Sequence, residues 1–206
     1  MRSLLVATTN PGKLREIRAL LPDALVQLIG LSDLPAIREP EETGATFQEN
    51  ARLKALYYAS HTGLLTVAED SGLVIDALGG EPGVLSARFL RPDATYEERF
   101  AEIFRRLNAH PARSRTARFV AALACVSRGE VIYETTGIVE GEIAEAPRGR
   151  GGFGYDPIFV YPPYGRTLAE VSEPEKIAIA HRGIAFRKFS DWLALSKRSE
   201  SKGLER

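Results

Sequence analysis

The sequence has little cysteine, no excess of charge of either sign and no long apolar run. Cys125 is the single cysteine among 206 residues, so no disulfide can form within the chain. Its surroundings, AALACVSRG, indicate a small buried residue on a strand rather than a reactive thiol. The 27 basic and 27 acidic side chains balance, which argues against nucleic acid as a partner, because binding to that polyanion depends on excess positive charge. Because the net charge is zero, a small polyanion would have to bind at a local cluster of Lys and Arg side chains.

The apolar segments are all short. The first residues, MRSLLVATTNPGK, contain an apolar run of only LLVA, which is shorter than the hydrophobic region of a signal peptide. No stretch approaches the length of a membrane span. We therefore expect a cytoplasmic protein without membrane contact. With 44% hydrophobic and 26% charged residues, the chain should form one α/β domain over residues 1–195, followed by a polar tail at 196–206.

Strand and helix patterns alternate in the first half of the chain. SLLVATT and LVQLIGL predict strands, and Asn10 followed by Pro11 predicts the N-cap and first residue of a helix. Thr46 and Glu49 form a capping-box pattern at the start of a second helix. TVAEDSGLVIDAL is expected to form a strand that a polar turn interrupts.

Two long β-patterned runs and two helices occupy the second half. A helix is predicted from about Tyr96 to Leu107, and the runs ARFVAALACVSR and VIYETTGIVEG are expected to join at a turn at 128–130. The last helix should open at Ser172 and continue through KIAIAHRGIAFRKFSDWL. Strands and helices alternate in the first half of the chain, and a hairpin follows in the second half. This order favours a mixed, twisted sheet with flanking helices, in two lobes around a central cleft.

The segment GRGGFGYDP has the glycine spacing of a dinucleotide-binding fingerprint, through Gly149, Gly151 and Gly154. That fingerprint binds pyrophosphate only where a helix comes directly after it, because the helix N-terminus supplies the amides and the dipole. Here Pro157 and the strand-like IFVYP come next instead. We therefore reject the dinucleotide interpretation.

The segment TTNPGK is a candidate anion site, because a strand leads directly into a helix start that carries hydroxyls, an amide, a glycine and a lysine. Free amides and the helix dipole favour negative charge at such a position, and the lysine adds a full positive charge. The candidate residues are Thr8, Thr9, Asn10, Pro11, Gly12 and Lys13. The alternative is a well-capped surface helix with an incidental lysine.

Carboxylates are grouped in two places. Glu69 and Asp70 are adjacent at an expected strand end, where at most one faces a given ligand, and one such carboxylate beside phosphates suits Mg²⁺. The alternative is a turn in which the aspartate caps its own backbone. The segment EPEETG contains further carboxylates that could face a ligand. The alternative is that this acidic run is simply exposed to solvent. Asn50 and Lys54 share a helix face, from which Lys54 could reach phosphate.

The segment EKIAIAHRG places cations near the start of the last helix. Lys176 lies in the first turn, where the helix dipole disfavours it, so an anion is expected to compensate it. His181 and Arg182 precede Gly183, which weakens the helix and could let both side chains reach a polar ligand. A structural role for the histidine is the alternative.

Taken in order, TTNPGK, EETGATFQENARLKA, AEDSGLVIDALGGEPGVLSARF, GGFGYDPIF and EKIAIAHRG resemble motifs of the inosine/xanthosine triphosphate pyrophosphatases. The resemblance spans nearly the whole chain. It implies Mg²⁺-dependent hydrolysis of deaminated purine nucleoside triphosphates (ITP, dITP and XTP) to the monophosphate and pyrophosphate, which keeps them out of DNA and RNA. It also implies an elongated mixed α/β fold with a cleft between two lobes, and commonly a homodimer.

The resemblance assigns a role to each matching position. Thr8 to Lys13 would line the triphosphate, Asp70 would be general base and Mg²⁺ ligand, and Glu41 would be the second metal ligand. The remaining nucleotide contacts would be Ser71, Phe153, Gly154, Tyr155, Asp156, Lys176, His181 and Arg182. An aromatic face there would stack on the purine, and donors facing its 6-oxo group would reject adenine.

The sequence departs from the family pattern at two positions. Glu69 stands where the family often has aspartate, which puts a catalytic role for this residue in doubt, and Ala180 stands where serine often precedes the His-Arg pair. A pyrophosphatase for modified pyrimidine nucleotides and a nucleotide-binding sensor without turnover stay open as alternatives.

Overall fold

The computed structural model describes residues 2–110 and 114–203 and has a mixed α/β fold. The strands are β1 (Arg2–Val6), β2 (Val26–Gly30), β3 (Leu65–Ile75), β4 (Thr116–Ser127), β5 (Glu130–Ile143), β6 (Phe159–Tyr161) and β7 (Arg166–Thr167). The α-helices are α1 (Pro11–Leu20), α2 (Phe47–Thr62), α3 (Tyr96–Asn108), α4 (Glu173–Ile179) and α5 (His181–Gly203). The sheet order is β2-β1-β3-β4-β5-β6-β7, with β1 parallel to β2 and β3, and β6 antiparallel to β5 and β7. The predicted mixed sheet is confirmed.

The helices begin where local side-chain chemistry predicts. Asn10 Oδ1 accepts a hydrogen bond from the Lys13 backbone N–H at 3.1 Å, which caps α1. At the start of α2, Thr46 Oγ1 accepts from the Glu49 backbone N–H at 3.1 Å, and Glu49 accepts in return from the Thr46 backbone N–H at 3.3 Å. These bonds satisfy amides that a helix start otherwise leaves without a partner.

The hairpin between β4 and β5 also matches its prediction. Arg128 and Gly129 form the turn with φ values of 53° and 83°, and positive φ at both positions suits the right-handed twist of the strands that it joins. Cys125 lies buried on β4, and burial raises its pKa to about 12. The thiol is therefore protonated and inert at neutral pH, as expected.

The predicted interruption of the AEDSG strand is wrong. β3 runs without a break for 11 residues, so Glu69 and Asp70 lie in the middle of a strand rather than at its end. Val67 before this pair and Leu73 after it are both fully buried, and each is anchored in a hydrophobic cluster. Anchoring on both sides keeps the polar stretch extended, which outweighs its turn-like composition.

The predicted single C-terminal helix is also wrong, because it divides at Ala180. That residue has φ −74° and ψ 157°, which is extended backbone, and its N–H closes α4 by donating to the Lys176 carbonyl. Side chains before and after the break bind different partners: Lys176 pairs with Asp156, and Arg182 pairs with Glu69. The two helices are therefore attached to different side chains on either side of the break. α5 continues through residues 196–203 of the predicted tail, and residues 204–206 lie outside the described residues.

The chain folds into two compact units. The first comprises Met1–Asp70, Ala122–Gly137 and Arg182–Arg206, and the second comprises Ser71–Ala121 and Ile138–His181. The core of the first includes Leu4, Ile17, Val67, Leu123, Phe186 and Phe189. The core of the second includes Leu73, Phe100, Ile103, Phe119, Ile158 and Phe159. The grouping of residues 1–195 into one domain stays a prediction. Among the described residues, the helices are too short or too polar to cross a membrane.

Candidate active site

The predicted triphosphate segment, Thr8–Lys13, lies in the first unit, where β1 leads into α1. Thr8 Oγ1 accepts from the Asn10 backbone N–H at 3.2 Å, which turns the chain toward the helix. Thr9, Asn10 and Pro11 are exposed to solvent. The start of α1 is therefore accessible, and its dipole favours an anion there.

Asp70 is buried on β3, with 6% of its surface exposed, and two side chains of α2 bind its carboxylate. Asn50 Nδ2 donates to Asp70 Oδ2 at 3.2 Å, and Lys54 Nζ donates to Oδ1 at 3.1 Å. Burial raises the pKa of Asp70; the charge of Glu42 raises it further, whereas Lys54 lowers it. A carboxylate with a raised pKa is a stronger base, which suits proton abstraction.

Lys54 connects Asp70 to a second carboxylate. Its Nζ donates to Glu42 Oε1 at 2.7 Å as well as to Asp70 Oδ1. Burial lowers the pKa of Lys54, but the charges of Asp70 and Glu42 outweigh burial and raise it overall. The amine therefore stays cationic between two carboxylates. Glu42, Asn50, Lys54 and Asp70 are called the Asp70 cluster.

The position of Glu42 depends on the buried Asn50. Its Oδ1 accepts from the Gly44 backbone N–H at 2.8 Å, while its Nδ2 holds Asp70. A Cβ atom on Gly44 would lie 2.7 Å from Asn50 Oδ1, so only glycine allows this approach. The loop is thereby fixed with Glu42 at Lys54, whereas Glu41, the predicted metal ligand, is exposed.

The two carboxylates of the Asp70 cluster form a donor set suited to Mg²⁺ rather than to zinc. Within residues 2–110 and 114–203, no group of three or more His, Cys, Asp or Glu side chains could hold a metal ion. Mg²⁺ usually takes only one or two carboxylates from the protein, and phosphates and water complete its coordination. In the structure the Lys54 ammonium contacts both carboxylates, which marks the place as favourable for positive charge.

Glu69 has a different set of partners from Asp70. Arg182 binds Glu69 through two bonds, Nε to Oε2 at 2.7 Å and Nη2 to Oε1 at 3.2 Å, and its Nη1 donates to Glu16. Lys13 Nζ lies 3.7 Å from Glu69 Oε1. Burial lowers the pKa of Lys13, and Glu69 opposes that effect. These four residues, the Arg182 cluster, combine two cations with two anions.

The segment Gly149–Asp156, the glycine loop, lies in the second unit and folds around one carboxylate. Asp156 Oδ2 accepts from the Phe153 backbone N–H at 2.8 Å and pairs with Lys176 Nζ at 2.5 Å. Both charged side chains are almost completely buried. Asp156 is thus the anion that compensates Lys176. The ammonium also lies 4.5 Å from the centre of the Phe153 ring, in a cation–π contact.

The backbone explains the glycines of the loop without a dinucleotide. Gly149 and Gly152 have φ values of 83° and 67°, which other residues rarely adopt. A Cβ atom on Gly149 would lie 2.4 Å from the Ala169 carbonyl, and one on Gly152 would lie 2.1 Å from Asp156 Oδ2. The chain then forms a single 3₁₀ turn, Asp156–Ile158, and enters β6. The rejection of the fingerprint agrees with this geometry.

Replacing Gly152 with Ala is expected to destabilise the protein by about 2–5 kcal/mol. Positive φ costs a residue with a Cβ about 1–2 kcal/mol, and the contact with Asp156 adds the cost of overpacking, about 1–3 kcal/mol. Gly165→Ala is the matched control, because Gly165 has φ 60° and its Cβ would meet nothing within 4 Å. Urea unfolding measures both variants. Equal losses would contradict the close packing of Gly152 on Asp156.

Tyr155 and His181 are buried and are held by aromatic neighbours in the second unit. Tyr155 is 3% exposed; its ring packs edge-on against Tyr96 at 5.3 Å, and its hydroxyl donates to the Ser86 carbonyl at 2.8 Å. His181 stacks on Phe119 with 4.8 Å between ring centres and 13° between planes. Tyr155 therefore supports the glycine loop from inside, and Phe119 sets the plane of the imidazole.

Sequence reasoning missed several side chains that complete these clusters. Glu16 lies three residues after Lys13 on α1, so its shared face with Lys13 was a readable signal. Glu42 was one carboxylate among several in EPEETG, and Phe119 and Ser86 carried no distinguishing pattern. Ala180, the other departure from the family pattern, is buried at the helix break.

Some predicted site residues belong to the first unit and others to the second, and at two places the chain passes from one unit to the other between neighbouring site residues. Asp70 ends one segment of the first unit and Ser71 begins the second unit; His181 ends the second unit and Arg182 returns to the first. Each crossing thus falls inside a predicted site motif. The phosphate candidates belong to the first unit, and the glycine loop belongs to the second.

Known proteins of one family are similar to this chain over nearly its whole length. The model of the Ham1 family matches residues 4–192. A dITP/XTP pyrophosphatase of Geobacter sulfurreducens is 46% identical over 193 residues, which cover 94% of this chain and 97% of that protein.

Two solved structures are similar in fold. A HAM1 protein from Coxiella burnetii has a TM-score of 0.86 and 41% identity, and the match covers 94% of this chain and 99% of that one. The Ham1 protein of Staphylococcus aureus has a TM-score of 0.85 and 35% identity, with coverage of 95% and 100%.

Proposed function

Because the chain belongs to the Ham1 family, we propose that it is a nucleoside triphosphate pyrophosphatase acting on dITP, ITP and XTP. It hydrolyses these deaminated purine nucleotides to the monophosphate and pyrophosphate, and so removes them from the pool used for DNA and RNA synthesis. The observation that carries the mechanism is the buried Asp70 carboxylate, bound by Lys54 and Asn50.

Asp70 acts as the general base. A water molecule attacks the α-phosphorus and Asp70 takes its proton. The bond between the α-phosphorus and the oxygen that bridges to the β-phosphorus breaks, and pyrophosphate leaves with that oxygen. Asn50 and Lys54 hold the buried Asp70 carboxylate in place, which orients it as a proton acceptor. Lys54 and Lys13, together with the amides at the start of α1, stabilise the negative charge that develops on the phosphates.

Mg²⁺ would be held by Asp70 and Glu42, the carboxylates that share Lys54. Glu42 replaces Glu41 in this proposal, because Glu41 is exposed. When bound, the ion lowers the pKa of coordinated water and neutralises phosphate charge. Lys54 holds the two carboxylates together, and Asn50 fixes Asp70 and the Glu42 loop at once.

The second unit binds the base. The Phe153 ring stacks on the purine, and Lys176 and His181 donate toward the 6-oxo group. Adenine carries an amino group at that edge, so the protons that these donors direct at the base would meet another donor, which disfavours ATP. Arg182 stays a predicted contact of this pocket; its guanidinium binds Glu69 and Glu16, and these bonds also hold the start of α5. A homodimer and a cytoplasmic location stay predictions.

The test is a product analysis with a substrate panel. Incubated with Mg²⁺ and ITP, the protein should release IMP and pyrophosphate in equal amounts, and it should hydrolyse ATP at least about 100-fold more slowly. Release of inorganic phosphate would overturn the proposed bond cleavage. Faster hydrolysis of modified pyrimidine triphosphates would assign the other enzyme class, and tight ITP binding without any product would indicate a sensor.

A further inference from the structure

Ser86 forms three hydrogen bonds that connect separate parts of the second unit. It lies on the 3₁₀ segment Gly83–Arg88 and is 6% exposed, although Leu85 next to it is 48% exposed. Its Oγ donates to the Gly83 carbonyl at 2.6 Å and accepts from the Leu73 backbone N–H at 2.9 Å. Its carbonyl accepts from the Tyr155 hydroxyl at 2.8 Å. One buried serine therefore contacts both β3 and the glycine loop.

The bond to Leu73 fixes β3 close to the predicted nucleotide contact Ser71. Leu73 is fully buried, so its N–H has no access to bulk water and depends on the Ser86 hydroxyl. Among side chains of this size, only a hydroxyl both donates and accepts, and here both functions are in use. The Ser71–Leu73 stretch of β3 is thus attached to the Gly83–Arg88 segment.

The bond from Tyr155 fixes the glycine loop to the same segment. Burial raises the pKa of the Tyr155 phenol, so its hydroxyl keeps the proton that it donates to Ser86. With 3% of its surface exposed, Tyr155 leaves little area for a base to contact, while Phe153 and Asp156 on either side form the loop itself. Its contribution is therefore to hold the loop in place.

We propose that Ser86 is a positioning residue for nucleotide binding, which keeps Ser71 on β3 and the glycine loop at a fixed spacing within the second unit. It touches no reacting atom and acts through Leu73 and Tyr155. This inference depends on the proposed function, because Ser71 and the glycine loop have to bind the same nucleotide for their spacing to matter.

The experiment is a double-mutant cycle with Ser86→Ala, Tyr155→Phe and the combined variant, assayed for pyrophosphate release from ITP with Mg²⁺. Each single change should raise KM about 10-fold, the factor that corresponds to about 1.4 kcal/mol of binding free energy, and should leave kcat within about 2-fold. The combined variant should raise KM little more than either single change, because the two bonds lie in series between β3 and the glycine loop. Ser86→Ala breaks the bond from Leu73, and Tyr155→Phe breaks the bond to the Ser86 carbonyl. Independent effects would multiply to about 100-fold.

Tyr133→Phe and Ser60→Ala are the matched controls, since each removes a hydroxyl in the first unit, and KM should not change. Thermal midpoints separate positioning from a purely structural role. A lowered midpoint with unchanged KM in all variants would overturn the inference, as would a fully multiplicative double variant. Tyr155→Phe keeps the ring and its packing, so it tests the inference even where Ser86→Ala fails to fold. An inactive wild-type protein would instead refute the proposed function.

Discussion

Replacing Asp70 with Asn is expected to lower kcat for ITP by about 10²- to 10⁴-fold, the usual contribution of a general base. The amide keeps the size of the side chain and one oxygen acceptor, but it cannot take a proton from water. Because Lys13 and the glycine loop are unchanged, the variant should still bind the nucleotide. Steady-state pyrophosphate release measures the rate, and equilibrium binding of ITP measures the retained affinity.

Asp76→Asn provides the control for this substitution. Asp76 is exposed and accepts hydrogen bonds from Thr116 and Arg118, so its conversion to the amide should leave kcat unchanged. A D70N variant with wild-type kcat would show that another group accepts the proton. Loss of both rate and binding would indicate that Asp70 mainly organises the Asp70 cluster through Asn50 and Lys54.

Features set by near neighbours in the sequence could be predicted. The start of α1 at Asn10, the capping box of α2 and the two-residue turn at 128–129 each depend on side chains within a few positions. Lys176 was singled out in the same way, since a cation in a first helical turn is locally unusual. Asp70 was singled out as a carboxylate at an expected strand end, although the strand in fact continues through it.

Partners distant in the chain could not be predicted. Glu16 and Arg182 are 166 positions apart, and their contact depends on how α1 and α5 pack in the first unit rather than on any local pattern. The choice between Glu41 and Glu42 depends on a loop without periodic structure, whose geometry is set by the bond between Gly44 and Asn50.

The interpretation of β3 failed for a related reason. AEDSG has the composition of a turn, and a strand through it is stable only because each end is packed in a core and both carboxylates find cations. Glu69 finds Arg182, and Asp70 finds Lys54. Tertiary pairing of these charges thus outweighed local propensity.

The pairing of Glu69 with Arg182 predicts that Glu69→Gln lowers the free energy of unfolding by about 3 kcal/mol. Removing one partner of a buried ion pair costs about 3–5 kcal/mol, because the other charge stays buried without compensation. Here Glu16 still binds Arg182, which favours the lower end of that range. For a chain of this size, each 1 kcal/mol lowers the melting temperature by about 2–4 °C.

Glu134→Gln is the matched control, because Arg52 binds Glu134 through the same two-bond geometry at a partly exposed site. Exposed pairs contribute about 0–1 kcal/mol, so this variant should unfold almost as the wild type does. Glu69→Asp retains the charge but shortens the reach to Arg182, and its stability should fall between those of the wild type and Glu69→Gln. Similar urea midpoints for Glu69→Gln and Glu134→Gln would mean that burial adds nothing to the Arg182 cluster, and the positioning role assigned to Arg182 would then have no energetic basis.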